Sequence, residues 1–308
     1  MSLCFVGFFV FRTSNMKKLT YICFIIFFMV SCVQNKVQNT IFKDKIKFAE
    51  STFPYNGGIL ITNFGTKSLK PINSEGKGYI LYFKNDSINE FIPADGNLNA
   101  PKGMYIIQNH LFVADINRVV VYDLNDKVDK PQIIAFPKNE MFVNDLTAKN
   151  DTLYISVSNT GNIYQLVISN ISNIDNQTLK IFTNVVGANG LFIENNKMYI
   201  ASYPANTGKV TDDNVVYVIN DLKNPKPEKL INKPGMYDGI QISEDKNTLY
   251  VSNWTPVEII GVNLKDKSIS TVITNSKLKS VADFTYQNKT FYIPDLQGSR
   301  LFLQYSNK

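Results

Sequence analysis

The amino-acid sequence predicts an all-β fold, a six-bladed β-propeller whose blades are four-stranded antiparallel sheets. The first observation behind this prediction is a set of short runs of β-branched and aromatic residues bounded by Asn, Asp, Gly or Pro, a pattern typical of strands. Six such runs share one layout and occupy residues 58–62, 111–114, 152–156, 197–201, 248–252 and 290–294. A further strand-like run often follows, and no stretch keeps a helical period over three turns.

The second observation is the spacing of the segments that open these units. We call the first residue of each opening segment a slot residue, and the six slot residues are Glu50, Lys102, Asn144, Asn189, Asp238 and Ala282. Successive slot residues are 52, 42, 45, 49 and 44 positions apart, and propeller blades require such a period in the forties. The last unit ends after three strands near Tyr305. We therefore expect a strand from residues 41–48 to complete it and close the ring.

The N-terminal residues predict export. Met16-Lys17-Lys18 and the apolar run 19–30 form the basic head and short apolar middle of a signal peptide, which we assign to residues 1–31. Residues 1–15 are interpreted as a mis-assigned upstream start. A single uncleaved anchor over residues 3–30 is the alternative, and the polar break at 12–18 argues against it.

Residues 29–32 look like a bacterial lipobox, in which cleavage precedes Cys32 and that cysteine receives lipid. A lipidated Cys and polar tether over 32–40 would then lead into a propeller over 41–308. The sequence thus predicts an exported bacterial lipoprotein of the cell envelope, held at the membrane by its lipid. A closed propeller with no exposed apolar helix is expected to be a monomer.

Several chemistries are excluded by composition. The three cysteines, Cys4, Cys23 and Cys32, lie at or before the predicted cleavage site, so the mature domain has no thiol. The only histidine, His110, is predicted to be a surface turn residue on the side of its blade away from the slot residue. These facts exclude Ser-His-Asp triads, Cys-His dyads and histidine-rich zinc sites. The first 31 residues carry three basic groups and no acids, so the mature chain has a net charge of only +3 and no nucleic-acid partner is expected.

The slot residues suggest a metal site. In a ring of blades their side chains converge on the axis, and four of them offer carboxylate or amide oxygens: Glu50, Asn144, Asn189 and Asp238. Two carboxylates and two amide carbonyls suit Ca²⁺ or another hard divalent cation. The alternative for each residue alone is a turn, because Asn-Gly and Asp-Gly are ordinary turn formers.

These motifs resemble the gluconolactonase, regucalcin (senescence marker protein) and diisopropyl-fluorophosphatase family of calcium-dependent six-bladed propellers. The resemblance covers residues 50 to 295 and is carried by Glu50 before Ser51, Asn144 before Asp145, Asn189 before Gly190-Leu191, and Asp238 before Gly239. It implies that these four side chains hold a catalytic ion for hydrolysis of a lactone or related ester, the small-molecule substrate. It implies further that Asp238 is the general base or nucleophile, while Asp145 and Asp283 support the ligands.

The sequence also departs from this family. Lactone-opening members carry an Arg two residues before the Asn, where this chain has Phe142. With Phe64, Tyr203 and Trp254 expected on the same wall, the pocket would favour a less polar substrate. Lys102 would either bind a substrate carboxylate or phosphate, or extend to the surface. The alternative function is a non-catalytic propeller that binds a saccharide or protein and carries a structural ion.

Overall fold

The computed structural model describes residues 39–127, 130–176, 178–274 and 277–306. The chain divides into two compact units, residues 1–36 and 37–308, and every described residue belongs to the second. The predicted signal peptide, Cys32 and most of the predicted tether therefore lie outside the described residues. Within the described part, no helix is both long and apolar enough to cross a membrane.

The described residues form six four-stranded antiparallel sheets, which confirms the six-bladed β-propeller. Blade 1 contains β2 (Ala49–Tyr55), β3 (Gly58–Asn63), β4 (Tyr79–Lys84) and β5 (Ser87–Ile92). Blade 2 contains β6 (Pro101–Ile107), β7 (His110–Asp115), β8 (Arg118–Asp123) and β9 (Gln132–Ala135). Blade 3 contains β10 (Val143–Lys149), β11 (Thr152–Val157), β12 (Asn162–Val167) and β13 (Lys180–Asn184), with a 3₁₀ segment at Ile171–Asn176.

Blade 4 contains β14 (Ala188–Glu194), β15 (Lys197–Ser202), β16 (Val216–Ile219) and β17 (Pro227–Lys229). Blade 5 contains β18 (Tyr237–Ile242), β19 (Thr248–Asn253), β20 (Glu258–Asn263) and β21 (Ile269–Thr274). Blade 6 contains β22 (Thr285–Gln287), β23 (Thr290–Asp295), β24 (Arg300–Tyr305) and β1 (Asn39–Phe42). The first-listed strand of each blade is the innermost one and packs against its counterparts in neighbouring blades.

Blade 6 closes the ring with a strand from the other end of the propeller. Strand β1 pairs antiparallel with β24, with Phe42 opposite Leu301 and Thr40 opposite Leu303. This confirms that a strand from the N-terminal stretch closes the ring, but the strand is Asn39–Phe42 and not residues 41–48 as predicted. The chain turns after Phe42, because Ile46 N–H bonds to Lys43 O and Lys45 has a positive φ of 59°. The N-terminal and C-terminal strands of the propeller are therefore paired in one sheet, and this pairing closes the ring.

Apolar side chains fill the spaces between neighbouring blades. Val121 of blade 2 packs in one buried cluster with Leu146 and Leu166 of blade 3, and Val216 of blade 4 packs with Leu249 of blade 5. Side chains in such cores interlock at crystal-like density. The blades therefore hold their innermost strands in fixed positions around the axis, and this fixes the geometry of the slot residues.

Candidate metal site at the axis of the propeller

A β-bulge presents the slot residue in each of the first five blades. The pairing of the innermost strand with its neighbour shifts register between Ala49 and Thr52 in blade 1, and at the equivalent positions of blades 2 to 5. Each slot residue and its successor occupy the interruption. Bulges re-aim side chains and are common next to functional sites. The same β-bulge recurs in five blades, so their slot residues are presented in the same way on the innermost strands.

Hydroxyl groups on the second strands satisfy the backbone at these bulges. Thr62 Oγ1 accepts Ser51 N–H at 2.9 Å, Ser156 Oγ accepts Asp145 N–H at 3.0 Å, and Ser252 Oγ accepts Gly239 N–H at 2.7 Å. The hydroxyls of Ser156 and Ser252 donate in turn to the carbonyl oxygens of the next blade's slot residue, Asn189 and Ala282. A buried backbone group without a partner is costly, so these hydroxyls stabilise the bulges.

The four predicted metal ligands are buried, and three of them carry unpartnered oxygens. Glu50, Asn144, Asn189 and Asp238 are 2–6% exposed. Glu50 Oε2, Asn189 Oδ1 and Asp238 Oδ1 are buried and have no hydrogen-bond partner among the described residues. Buried polar atoms are nearly always paired, so each such oxygen needs an explanation. Three acceptors on three slot residues are consistent with a shared cation.

Four buried carboxyl groups act on one another at the axis. Burial first, then repulsion from Asp238, raises the pKa of Glu50 well above its ordinary value, and Lys102 opposes the shift. Burial raises the pKa of Asp238 from 3.8 to about 7, although the hydrogen bond from Trp254 opposes this shift. Burial likewise raises the pKa of Asp145 well above its ordinary value, and that of Asp283 to about 6. Burial and mutual repulsion thus both favour the neutral form of these carboxyl groups.

The residues after two slot residues join adjacent blades. Asp145 accepts Leu146 N–H and, from blade 4, Leu191 N–H, both at 2.7 Å. Asp283 accepts the Ser51 hydroxyl of blade 1 at 2.5 Å. A Cβ on Gly103 would lie 2.3 Å from Asp145 Oδ1, so only glycine leaves room for that carboxylate. The structure thus gives Asp145 and Asp283 interblade contacts one position after the slot residues Asn144 and Ala282.

Lys102 stays inside the protein. Lys102 is 2% exposed, and its Nζ donates to Ala100 O at 3.1 Å and Pro71 O at 3.3 Å. The Nζ also lies 5.5 Å from the ring centroid of Phe64 and 5.8 Å from that of Phe142. The predicted alternative in which this lysine extends to the surface is therefore wrong, because carbonyls and ring faces hold the ammonium within the axis.

The aromatic residues predicted to wall a pocket, Phe64, Tyr203 and Trp254, are packed against other side chains. Phe64 is 1% exposed and belongs to a buried apolar cluster that we call the cap: Phe64, Ala100, Ile116 and Leu296, with Phe48, Leu69, Met141 and Trp254 against it. Trp254 Nε1 donates to Asp238 Oδ2 at 2.6 Å, and the rings of Tyr203 and Trp254 meet edge to face at 5.8 Å. The cap therefore touches the site through Phe64 and Trp254.

Five Asn and Asp residues at the end of the second strands, or just beyond them, have a structural role. Each accepts backbone N–H groups from the segment that enters the innermost strand of its own blade, as Asn63 does from Lys47 at 3.0 Å and Asn253 from Met236 at 3.0 Å. The same bonds are made by Asp115, Asn159 and Asp295. Their recurrence at the same place in five blades is a sequence signal for this role that we did not recognise from the sequence.

His110 lies away from the slot residues, as predicted, but it is buried and opens strand β7. Its Nδ1 lies 3.0 Å from Gln108 O, and its Nε2 lies 3.9 Å from Asp123 Oδ2. The prediction of a surface turn residue was wrong because the turn occupies only Gln108 and Asn109, which both have positive φ. The histidine then pairs with Ile107 across the hairpin.

The donor set fits a hard divalent cation. Two carboxylates and two amide carbonyls occupy equivalent slot positions, and three of their oxygens lack a hydrogen-bond partner among the described residues. In the described part of the chain, no group of three or more His, Cys, Asp or Glu side chains is arranged to hold a metal. A metal site formed by the slot residues would therefore also need the amide oxygens of Asn144 and Asn189.

No protein-family model matches the chain, and no curated protein matches it. Several solved structures are similar to it. A structural genomics protein of unknown function from Bacteroides thetaiotaomicron VPI-5482 has a TM-score of 0.59 at 12% identity, over 88% of this chain and 72% of that chain. A catalytically inactive histidine-to-alanine variant of Staphylococcus aureus virginiamycin B lyase, solved with quinupristin, has a TM-score of 0.57 at 14% identity, over 88% and 99%.

A structure of the nidogen/laminin complex matches with a TM-score of 0.55 at 11% identity, over 80% of this chain and 83% of that chain. At identities this low, the similarity extends to the fold alone, because propellers carry many unrelated functions. The fold and site together define a six-bladed β-propeller with a buried acidic axis.

Proposed function

We propose that this protein binds a divalent cation, Ca²⁺ by the chemistry of its donors, at the axis of the propeller. Glu50, Asn144, Asn189 and Asp238 would hold the ion. The observation that carries the proposal is the set of buried, unpartnered oxygens on Glu50, Asn189 and Asp238. A cation would give all three a partner and would offset the mutual repulsion of the carboxylates.

We propose further that the site hydrolyses a lactone or related ester, as its resemblance to the gluconolactonase and regucalcin family implies. A bound divalent ion polarises a carbonyl and stabilises the oxyanion that develops on it. Among this chain's own residues, Asp238 would be the base, as the resemblance implies, because Trp254 holds Oδ2 and Oδ1 would lie beside the cation and its bound water. An ionised Asp238 would take a proton from water at that oxygen.

A second candidate is a non-catalytic propeller with a structural ion that binds a saccharide or protein through another surface. The burial of the site favours this candidate, because Trp254 of the cap contacts Asp238 and the four proposed metal ligands are at most 6% exposed. Asp238 is itself 4% exposed, so a substrate would need a rearrangement of the protein to reach it. The reaction of the virginiamycin B lyase is not a candidate here, since a variant of that enzyme lacking one histidine is inactive. The single histidine of this chain, His110, opens β7 at the hairpin end of the strand away from the slot residues.

We also propose that the protein is an exported lipoprotein attached to the cell envelope through Cys32, and that the propeller acts as a monomer. The support is the lipobox-like sequence at residues 29–32 after a basic head and apolar run. Lipid on Cys32 would keep the propeller at a membrane surface, and a ring already closed by β1 needs no partner subunit to complete its sheets.

The hydrolase proposal is tested with a panel of lactones, carboxylic esters and phosphotriesters, assayed in calcium and in chelator. We expect calcium-dependent turnover that Asp238→Asn abolishes, with the variant still folded. The matched control is Asp213→Asn. Asp213 is an exposed acid in the long loop between β15 and β16, and it pairs with Lys229 of β17. Calcium binding without turnover of any compound would overturn the hydrolase and leave the structural ion.

A further inference from the structure

The first strand of the propeller begins on the side away from the slot residues. The innermost strand of each blade runs from its slot residue to a tight turn, as β2 runs from Ala49 to Tyr55. We call the side of the propeller that carries these turns the hairpin face, and the opposite side the slot face. The outermost strand of a blade runs in the reverse direction, because the four strands are antiparallel. Asn39, which opens β1 in blade 6, therefore lies on the hairpin face, opposite Gln304 near the end of β24.

The predicted lipid anchor is close to this point in the chain. Six residues separate Cys32 from Asn39, so their Cα atoms are at most about 25 Å apart. The seven-residue strand β2 measures about 23 Å from its slot end to the hairpin face. With the slot face on the membrane, the segment between Cys32 and Asn39 would need nearly all of its length. The anchor therefore favours an orientation in which the hairpin face is nearer to the membrane.

An exposed tyrosine lies beside the start of β1. Tyr305 ends β24 on the hairpin face and follows Gln304, which pairs with Asn39. Tyr305 is 44% exposed, and no other aromatic side chain is exposed in the part of the chain that the structure describes. Tyrosine is enriched where membranes meet water, because its ring is apolar and its hydroxyl remains hydrated. Its position beside the entering chain places it where lipid would be closest.

Other exposed apolar side chains lie on the same face. Val167 ends the third strand of blade 3, and Ile181 and Ile269 lie at the starts of the outermost strands of blades 3 and 5. With Tyr305 they are four of the seven large apolar side chains that are exposed among the described residues, and Val167 and Ile181 are the two most exposed. Scattered apolar residues need no partner by themselves. A membrane held at this face by the anchor would cover all four.

We propose that the hairpin face rests on the phospholipid bilayer to which Cys32 is attached, with Tyr305 in the interfacial layer, and that the slot face points away from the membrane. This proposal rests on the lipid anchor proposed above and is independent of the calcium site. Ligands or partners would then reach the slot face from the aqueous side. A protein partner is the alternative cover for the hairpin face, and it would not hold that face close to lipid.

The orientation can be measured because the chain has no cysteine after Cys32. Ser87→Cys places a thiol-reactive dye on the hairpin face, at the turn between β4 and β5, and Ser68→Cys places it in the 64–78 loop of the slot face; both serines are exposed. Each lipidated protein is reconstituted into phosphatidylcholine vesicles that carry an acceptor dye on a fraction of the headgroups. We expect energy transfer from position 87 to exceed that from position 68 about threefold or more, because the two faces are about 20 Å apart.

A second pair of variants tests the contact made by Tyr305. In the labelled Ser87→Cys protein, Tyr305→Ser should lower the transfer roughly twofold, because the aromatic ring no longer holds the face at the interface. The matched control is Val210→Ser. Val210 is 40% exposed, but it lies in the loop between β15 and β16 on the slot face, so its replacement should leave the transfer unchanged.

The outcomes separate this proposal from the anchor. Equal transfer from the two positions, or higher transfer from position 68, overturns the orientation and leaves the hairpin face to a protein partner. Unchanged transfer in Tyr305→Ser overturns the interfacial role of that residue. The wild-type protein should take up no dye, because lipid occupies the thiol of Cys32. Dye on the wild-type protein, together with no binding to vesicles, overturns the lipid anchor and the orientation that depends on it.

Discussion

Trp254 donates its indole N–H to Oδ2 of Asp238 at 2.6 Å, and Oδ1 of the same carboxylate has no partner among the described residues. One oxygen is thus fixed and the other is left for a ligand. Hydrogen bonds to the outer side of a metal ligand orient it and often change metal affinity by 10–100-fold. Trp254 was expected to contact substrate, but the structure joins it directly to the proposed metal ligand.

Trp254→Phe should therefore weaken calcium binding about tenfold, because Phe keeps an aromatic ring but cannot donate to Asp238. Calorimetric titration measures the change. Tyr203→Phe is the matched control, since Tyr203 touches the Trp254 ring by its edge and would keep that contact. Equal affinities for Trp254→Phe and the wild type would show that the hydrogen bond does not orient the ligand.

The stability of the metal-free protein should fall as pH rises. The folded-state pKa values of Asp238 and Asp283 are raised to about 7 and about 6, so the folded protein binds more protons than the unfolded chain above pH 4. Their contribution is complete below the unfolded pKa and is lost as pH passes through the folded values.

In chelator, the unfolding midpoint should decrease between pH 4 and about 7, and the stabilisation by calcium should increase over the same interval. The decrease should be smaller in Asp238→Asn, which cannot titrate at this position. Thermal unfolding in matched buffers measures both effects. A metal-free midpoint that stays level or rises from pH 5 to pH 7 would contradict the raised pKa values.

The contact between Ser51 and Asp283 should contribute to closure of the ring, since it joins blade 1 to blade 6 at 2.5 Å. Ser51→Ala leaves a buried carboxylate without this donor and should cost about 1–3 kcal/mol of unfolding free energy. Denaturant unfolding measures the change. Ser270→Ala, on the exposed face of the outer strand β21, should cost much less. Equal effects of the two substitutions would remove the special role of this contact.

Cys32 should carry the lipid. We expect incorporation of a labelled fatty acid into the expressed protein, loss of the label in Cys32→Ala, and retention in Cys23→Ala, which changes a cysteine in the apolar run of the predicted signal peptide. Fractionation should show the same pattern in the membrane-associated pool. Label retained in Cys32→Ala would disprove the lipobox.

The sequence predicted the fold because the repeat is local. Each second strand carries its own β-branched and aromatic run, and the slot residues recur at the spacing of a blade, so the blade count followed from positions alone. The closing strand also followed, because the last unit lacked a fourth strand. The limits of the closing strand could not be predicted, since the turn after Phe42 depends on packing against blade 1.

The site was predicted only in part, because side-chain partners depend on neighbouring blades. Residue types placed Glu50, Asn144, Asn189 and Asp238 at the axis. Nothing local showed that Trp254, sixteen residues after Asp238, would turn its indole N–H to that carboxylate. Nor did the sequence show that the Lys102 ammonium would stay inside, because Pro71 and Phe142 reach it from other loops.

The central claim is that a divalent cation binds between Asp238 and the other axial ligands, and the only tryptophan of the chain lies beside that position. Terbium luminescence tests this most directly, because Tb³⁺ takes the same hard oxygen ligands as Ca²⁺ and emits when a neighbouring indole is excited. We predict saturable emission that calcium displaces, that Trp254→Phe largely removes, and that Asp238→Asn and Asn189→Ala weaken. No indole-sensitised emission, or emission that survives unchanged in Asp238→Asn, would contradict the axial metal site.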